Sequence, residues 1–402
     1  MERIDKPSTL SAFSARVPRG VWALGLVSMF MDISSEMIHS LLPVYLVAAM
    51  GASTLAVGFI EGVAEATAAI TKIFSGALSD ALGKRKLLAA VGYGMAALTK
   101  PIFPLAPTVS WLVAARFIDR VGKGVRGAPR DALVADLTPP AMRGAAYGLR
   151  QALDTVGAFL GPLLAIALMF VFANDFKAVF WVAVAPAVLS FGLIVFAVRD
   201  PDGVAKSAGR TMLRLADVRR LGAAFWLVVA IGAALTLARF SEAFLVLRAH
   251  DVGLTLALAP LALVVMNVAY ALTAYPAGRW SDVLDRRIIL MLGIAVLAIG
   301  DLFLAAASGI LGVAVGIMLW GVHMGLTQGL MAALVADTAP ERLRGSAFGL
   351  FNLVTGIVLL VASVLAGLLW DALGPAGTFY AGAVFATVAL ITLLAARQSG
   401  VK

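Results

Sequence analysis

The chain has 402 residues, of which 61% are hydrophobic and 14% charged, with a formal net charge of +9 and no cysteine. A soluble protein of this length has too little interior to bury so much apolar surface, and without cysteine neither disulfides nor thiolate metal sites can form. The Ala/Leu-rich apolar runs are about 20 residues or longer and do not alternate as β-barrel strands do. The composition therefore predicts an all-α polytopic membrane protein.

Helix-breaking residues, mainly Gly, Pro and Asp, divide the chain into twelve predicted membrane helices. In chain order they span residues 21–48, 53–78, 86–106, 109–130, 142–172, 177–198, 220–248, 254–278, 287–307, 309–333, 342–370 and 375–396. Six belong to an N-terminal bundle, residues 21–198, and six to a C-terminal bundle, residues 221–396. The rest is an N-terminal tail (1–20) without a signal-peptide pattern, a polar linker (199–220) and a C-terminal tail (397–402).

The placement of basic residues predicts the orientation of these helices. If the N-terminus is cytoplasmic, nearly all loop Lys and Arg residues fall on the cytoplasmic side, and the outer loops keep only Lys177 and Arg248. This asymmetry follows the positive-inside rule and predicts a multi-pass protein of the inner plasma membrane with both termini and the linker in the cytoplasm. The basic excess would then contact anionic lipid headgroups and not a nucleic acid.

Two sequence blocks recur in both halves of the chain. Residues 132–149 match 333–350 at an offset of 201, and residues 76–85 match 278–287 at an offset of 202. Two blocks at nearly one offset indicate that the second half is a copy of the first.

Twelve helices, two similar halves and the second block together resemble the major facilitator superfamily over almost the whole chain. The resemblance is greatest to the drug:proton antiporter-like and poorly characterised prokaryotic branches. The family's loop motif between helices 2 and 3 is matched at Gly76, Asp80, Gly83, Lys84, Arg85 and Lys86 and, in the second copy, at Gly278, Asp282, Arg286 and Arg287. Ala81 and Asp285 depart from the motif.

Predicted helix 5 adds Gly157, Gly161 and Pro162, which look like part of the antiporters' proline–glycine motif. The resemblance implies two pseudo-symmetric six-helix bundles in the superfamily fold, and secondary transport rather than an enzymatic reaction.

The loop motif also has a physical interpretation. Asp80 and Asp282 lie at predicted helix ends, where a carboxylate can accept hydrogen bonds from a neighbouring helix N-terminus or pair with an arginine. Such contacts would latch the halves in one state and release them in the other; the alternative is a motif that only shapes a tight turn. We expect gating by the motif residues of both copies, together with Arg130 and Asp131.

Ionisable side chains inside the predicted helices are costly in a membrane and should face a cavity or one another. In the resembling family, helices 1, 4, 7 and 10 line the central cavity. The resemblance therefore places on the transport path Asp32, Glu36, His39, Arg116, Asp119, Arg120, Arg239 and Glu242. We expect Glu36 or Asp32 to exchange the coupling proton, with Arg116 as its modulator; static buried pairs are the alternative. A metal site at Asp32, Glu36 and His39 is the less favoured interpretation, so no metal is predicted.

A second set of charges is expected to form a buried network of ion pairs: Glu61, Glu65, Lys72, Lys123, Arg126, Arg150 and Asp154. The matching positions of the second half are mostly apolar. We therefore expect proton coupling in the N-terminal bundle, and a substrate pocket in the C-terminal bundle at Trp320, His323 and Met324.

The functional prediction is a proton-coupled secondary transporter. No phosphate-binding loop is present to support ATP-driven transport. Export of an amphiphilic, drug-like solute is favoured, and transport of an anionic metabolite or metal chelate is the alternative because predicted helix 4 carries many cations. A non-transporting receptor or scaffold is a distant alternative. The expected partners are a small solute, protons and lipids; the protein is expected to be a monomer without a cofactor.

Overall fold

The computed structural model describes residues 18–139, 142–199, 221–340 and 343–398. The predicted N-terminal tail up to residue 17, the linker from residue 200 to 220 and the C-terminal tail from residue 399 lie outside the described residues. Within the described ranges the chain folds into helices and forms no strand. The prediction of an all-α polytopic protein is confirmed.

The first half contains six membrane-length helices. They are α1 Arg19–His39, extended by Leu42–Val44 and a π-helical turn Tyr45–Ala49; α2 Thr54–Leu82; α3 Arg85–Thr99, extended by Ile102–Leu105; α4 Val109–Asp136; α5 Arg143–Val171; and α6 Phe176–Phe196. The structure extends α2 and α4 beyond their predicted ends, to Leu82 and Asp136.

The second half repeats this arrangement, with α7 in two segments. The elements are α7 Ala223–Ala238 and Ala243–Asp251; the 3₁₀ turn Leu256–Leu258; α8 Leu261–Val283; α9 Arg286–Ala306; α10 Ile310–Thr338; and the helical stretch Arg344–Gln398. Gly374 breaks that last stretch with a φ of 78°, giving α11 before it and α12 after it. Only glycine adopts such a φ at low cost.

Length and composition alone recognise ten candidate membrane spans in the described residues. One of them, Ala347–Ile391, contains parts of both α11 and α12. Helix α4 is absent from the ten because its many charged side chains lower its hydropathy. The helices therefore form twelve spans in the described part of the chain, as the sequence predicts.

The two halves have matching helix packing. In the first half α1 packs on α5 and α6, and α4 packs on α2 and α3; in the second half α10 packs on α8 and α9, and α7 packs on the α11–α12 stretch. Two glycines of the predicted helix-5 motif permit close packing of α5 on α1: a Cβ at Gly157 would lie 2.6 Å from the carbonyl oxygen of Met29, and one at Gly161 would lie 2.6 Å from Cβ of Glu36. Pro162 lies within the same helix.

The halves contact each other where α2 runs against α11. Gly62 of α2 faces Leu360, and Gly367 of α11 faces Leu55, so close backbone contact is possible on both sides. We call the end of the molecule where α2 is followed by Lys84–Lys86 the basic end, and the end where α2 begins at Thr54 the opposite end. These contacts between the halves lie towards the opposite end.

Candidate functional site

A cavity of about 1070 Å³ lies between the two halves. It is lined by α1, α2, α4 and α5 of the first half and by α7, α8, α10 and α11 of the second, at levels between the middle of the molecule and the basic end. Among its lining residues are these sequence-predicted ones: Asp32, Glu36, Glu65, Lys72, Lys123, Arg126, Arg130, Asp154, Arg239 and His323.

Asp32 differs from the other carboxylates on the cavity wall in its contacts. Its side chain is half-buried, lies where α1 packs against Gly157, and lines the cavity. Within the described part of the chain it makes no hydrogen bond and no ion pair. A proton can therefore reach or leave this carboxylate without breaking a contact.

Glu61 of α2 is the centre of a buried ionic cluster next to the cavity. Its Oε2 lies 2.8 Å from Nη2 of Arg116 and 3.2 Å from Nε2 of His39. The other ring nitrogen of His39, Nδ1, is 3.5 Å from Glu36. Arg116, expected from the sequence to modulate the proton site, pairs with Glu61 and is almost wholly buried, so its effect on Asp32 or Glu36 stays a prediction.

A second buried cluster joins α3 to α4. The ammonium group of Lys100 lies 2.9 Å from Asp119 and donates a hydrogen bond to Ser35 at 3.0 Å. Arg120 lies 3.1 Å from Glu65. The sequence prediction omitted Lys100, although a lone cation in an apolar helix is itself a signal for a buried partner. Asp119 and Arg120, placed on the transport path from the sequence, are buried in this packing and do not line the cavity.

A third cluster lies near the basic end. Arg150 contacts Asp131 and Asp154 at 2.8 Å each, and Arg130 contacts Asp131 at 3.2 Å and Asp154 at 3.9 Å. All four residues belong to the first half, so these pairs tie α4 to α5 and do not bridge the halves.

Two other cations of α4 behave differently from each other. Arg126 is buried with its guanidinium 4.9 Å from the centre of the Tyr93 ring, a cation–π distance. Lys123 was expected in the buried network, but its side chain is exposed to the cavity. The lysine amine ends a long flexible chain and is the more easily hydrated of the two cations.

The three residues predicted to form a substrate pocket in the second half have different surroundings. His323 lines the cavity, and its Nδ1 lies 2.8 Å from the carbonyl oxygen of Gly293. Trp320 and Met324 are buried away from the cavity, and the indole of Trp320 donates to Asp301. Glu242 does not line the cavity either; it lies after the break that follows Ala238 in α7.

The loop motif has a structural role at the basic end. Gly83 adopts a φ of 64° and ends α2, and Asp285 caps the first turn of α9 by accepting from the backbone of Arg287 at 2.9 Å. Lys86 donates to the carbonyl oxygen of Val195 at 2.9 Å. The side chains of Asp80 and Asp282, on which the gating prediction depends, lie outside what the structure describes, so gating stays a prediction.

Two equivalent ion pairs, one in each half, were not predicted from the sequence. Arg85 pairs with Asp136, and Arg286 pairs with Asp337. The second pair lies 201 residues after the first, at the offset of the larger repeated block. Both aspartates belong to that repeated block, and an arginine recurs at the same offset. This joint recurrence could have predicted the two ion pairs.

The described residues contain no group of three or more His, Asp or Glu side chains arranged to hold a metal ion. The candidate site is a large cavity between two helix bundles, bordered by buried ion pairs on the side of the first half.

Comparison with known proteins identifies the family. The family model described as Major Facilitator Superfamily matches residues 24–266 and 229–401, which together cover nearly the whole chain. The chain belongs to the major facilitator superfamily. It is thus a multi-pass membrane protein of a transporter family and not an enzyme, as the sequence predicts.

Individual members of the superfamily are similar to different extents. An uncharacterised MFS-type transporter of Methanocaldococcus jannaschii is 32% identical over 388 residues, which is 94% of each chain. The multidrug resistance protein MdtH of Proteus mirabilis is 29% identical over 177 residues, 42% of each chain. A POT family transporter solved in complex with 5-aminolevulinic acid has a TM-score of 0.79 at 15% identity and covers 96% of this chain and 97% of its own, which shows the shared fold.

Proposed function

We propose that this superfamily member is a proton-coupled secondary transporter that moves a small solute across the inner plasma membrane by alternating access. The observation that carries the proposal is Asp32, a carboxylate on the cavity wall with no ion-pair partner in the described part of the chain. Neutralising such a group by a proton removes an uncompensated charge from the interior of the membrane.

Geometry distinguishes Asp32 from the acidic residues of the first half near the cavity, and Glu242, which is also unpaired within the described residues, does not line the cavity. A proton on Glu61 would have to displace both Arg116 and His39 from the same carboxylate oxygen. Glu36 and Glu65 each have a partner within 3.5 Å. Of the two proton sites proposed from the sequence, Asp32 is therefore favoured over Glu36, and the Glu61 cluster acts as a rigid support for α1, α2 and α4.

The shape of the molecule supports alternating access. The cavity extends from Asp32 towards the basic end, while α2 and α11 are packed together towards the opposite end. We assign the basic end to the cytoplasm from the distribution of Lys and Arg, so the structure corresponds to an inward-facing state. Rocking of the two similar halves would expose the same cavity to the other side.

The test separates proton coupling from solute binding. A thermal-shift screen of the purified protein first identifies solutes that bind. Liposomes containing the protein are then used to measure counterflow exchange of a bound solute without a pH gradient, and its accumulation driven by a pH gradient. Asp32→Asn should retain counterflow and lose gradient-driven accumulation.

The matched control is Asp175→Asn, a carboxylate in an exposed turn whose role as a helix cap asparagine can replace. It should behave as the wild type in both assays. Gradient-driven accumulation by Asp32→Asn at the wild-type level would show that Asp32 is not the coupling site.

Export of an amphiphilic solute is the second candidate. It is favoured by the similarity of part of the chain to MdtH and by the partial helix-5 motif. Gly157 and Gly161 of that motif have a packing role against α1, so the motif by itself says little about direction.

A further inference from the structure

Among the described residues, the cavity wall carries more unpaired cations than unpaired anions, and a proton site at Asp32 does not explain this excess. Nine Asp, Glu, Lys and Arg residues line it, and five of them are held by contacts with neighbouring side chains. The five are Glu36 by His39, Glu65 by Arg120, Arg126 by Tyr93, Arg130 by Asp131 and Asp154, and Asp154 by Arg150.

The four remaining groups make no ion pair or hydrogen bond within the described residues: Asp32, Lys72, Lys123 and Arg239. Three of these are cations and one is an anion. Inside a membrane protein an unpaired cation is stabilised mainly by water or by a bound anion. The unpaired charges therefore favour an anionic occupant.

The three cations lie on both sides of the cavity. Lys72 belongs to α2 and Lys123 to α4, and both side chains are exposed; the Lys72 side chain runs along Gly127. Arg239 belongs to the second half, at the break between the two segments of α7, where its φ of −108° and ψ of 84° are not helical. An anion bound to one cation from each half would contact both halves at once.

The rest of the second-half wall is polar but uncharged. Besides Arg239 it offers amide, hydroxyl and imidazole groups: Thr236, Asn267, Tyr270, His323, Thr327, Gln328, Asn352 and Thr355. The amides of Asn267, Gln328 and Asn352 and the Tyr270 hydroxyl can donate hydrogen bonds to carboxylate or phosphate oxygens. The three threonine hydroxyls already donate to carbonyl oxygens of their own helices, and Nδ1 of His323 already donates to Gly293. No carboxylate from the described part of the second half lines the cavity, so nothing there repels an anion.

We propose that the cavity binds a small organic anion, a carboxylate or a phosphate ester, between Lys72 and Lys123 of the first half and Arg239 of the second. The proposal rests on the transport function proposed above and names its substrate class. The sequence suggested an anionic solute because predicted helix 4 carries many cations. In the structure most of these cations are paired or stacked, and Lys123 is the α4 cation on the cavity wall that is available to an anion.

The proton site and the anion site lie on one wall, so their occupancies are coupled. The charged groups around Asp32 are Glu36 on its own helix, Lys123, Arg126 and Arg130 on α4, and Asp154 on α5. When Asp32 takes up a proton the wall loses its one unpaired negative charge, so the anion binds more tightly; by reciprocity the anion favours the proton. Anion affinity should therefore fall as pH rises, and the two species should move in the same direction.

The experiment uses pyridoxal 5′-phosphate as an anionic probe and pyridoxal as its neutral counterpart. Each aldehyde forms an imine with a lysine amine, borohydride reduces the imine, and mass spectrometry of the full-length protein in detergent locates and quantifies the label. Lys177 is the internal control, since it is exposed in the first turn of α6 at the opposite end. No pH gradient or transport is needed, so the result is independent of the Asp32 test.

The ratio of pyridoxal phosphate to pyridoxal labelling should be higher at Lys123 than at Lys177 by about fivefold or more, which is less than one hydrogen bond to a charged group contributes. Citrate should protect Lys123, whereas chloride at equal ionic strength should not. Arg239→Gln should lower the ratio at Lys123 and leave pyridoxal labelling unchanged; if this variant does not fold, citrate protection of the wild type still decides.

Equal ratios at Lys123 and Lys177 would overturn the proposal. Preference for pyridoxal with no protection by citrate would also overturn it, and would favour a neutral or amphiphilic solute. Gradient-driven accumulation by Asp32→Asn at the wild-type level, together with the expected labelling at Lys123, would refute the proton site and leave the anion site in place, so the two failures can be distinguished.

Discussion

Asp301 of α9 accepts a hydrogen bond from the indole Nε1 of Trp320 in α10, with 2.7 Å between the two atoms. Lys100 and Asp119 lie 201 residues earlier and form an ion pair of 2.9 Å between α3 and α4. Both pairs are almost wholly buried. The repeat has therefore kept a polar contact between the third and fourth helices of each half while its chemistry changed from an ion pair to a hydrogen bond.

Trp320→Phe should destabilise the protein. It removes the donor to Asp301, whose other oxygen, Oδ2, already has no hydrogen-bond partner in the described residues. A buried polar group left without a partner costs about 1–3 kcal/mol, so the melting temperature in detergent should fall. Trp111→Phe, at an exposed position of α4, is the matched control. Equal melting temperatures for the two variants would mean that the hydrogen bond contributes nothing measurable.

Lys100→Met should be more destabilising than Trp320→Phe. It leaves the Asp119 carboxylate buried with only the more distant Arg120, at 3.9 Å. Removing one partner of a buried ion pair costs about 3–5 kcal/mol, whereas replacing both partners by apolar groups is often neutral. The double variant Lys100→Met/Asp119→Leu should therefore melt at a higher temperature than Lys100→Met alone. A double variant that melts below both single variants would contradict this account.

The sequence predicts the helices and the repeat well because both produce patterns within continuous stretches of the chain. Apolar runs predict the spans, and the repeated blocks predict two matching halves. The break in α7 at Arg239 was not predicted, because no proline or glycine marks it. The partners of Arg116 and Trp320 were also missed, since which side of a helix faces the cavity depends on packing between distant segments.

The ion pairs Arg85–Asp136 and Arg286–Asp337 at the basic end are equivalent contacts that differ in how deeply they are buried. The Asp136 side chain is 19% exposed, and the Asp337 side chain is 57% exposed. Exposed pairs contribute about 0–1 kcal/mol because water and salt screen them. Asp136→Asn should therefore lower the melting temperature more than Asp337→Asn, and added salt should reduce the smaller effect further. Similar losses for both would show that burial does not determine the value of these pairs.

Asp371 of α11 caps the N-terminus of α2 from the other half of the molecule. Its Oδ1 accepts from the backbone N–H of Thr54 at 3.2 Å and from the Thr54 hydroxyl, and its Oδ2 accepts from the N–H of Leu55 at 3.1 Å. The first N–H groups of a helix have no partner within the helix, and the partial positive charge there favours a carboxylate. This contact at the opposite end joins the halves only when that end is closed.

Asp371→Ala should therefore shift the protein towards states that are open at the opposite end. A cap of this kind contributes about 1 kcal/mol, which corresponds to roughly a fivefold change in the ratio of the two states. Since the chain has no cysteine, spin labels at Lys177→Cys, in the first turn of α6, and Ser308→Cys, between α9 and α10, report the separation of that end without interference. The labelled variant should show a larger fraction of long distances than the labelled parent.

The control for this shift is Ser53→Ala, which removes a cap bond to Ala56 from the same helix end. Both substitutions weaken the first turn of α2, but only Asp371 reaches it from the other half. If fraying of α2 alone opened the structure, the two variants would give the same distance distribution. If the contact between halves holds this end closed, Asp371→Ala alone populates the long distances, and Ser53→Ala keeps the distribution of the parent.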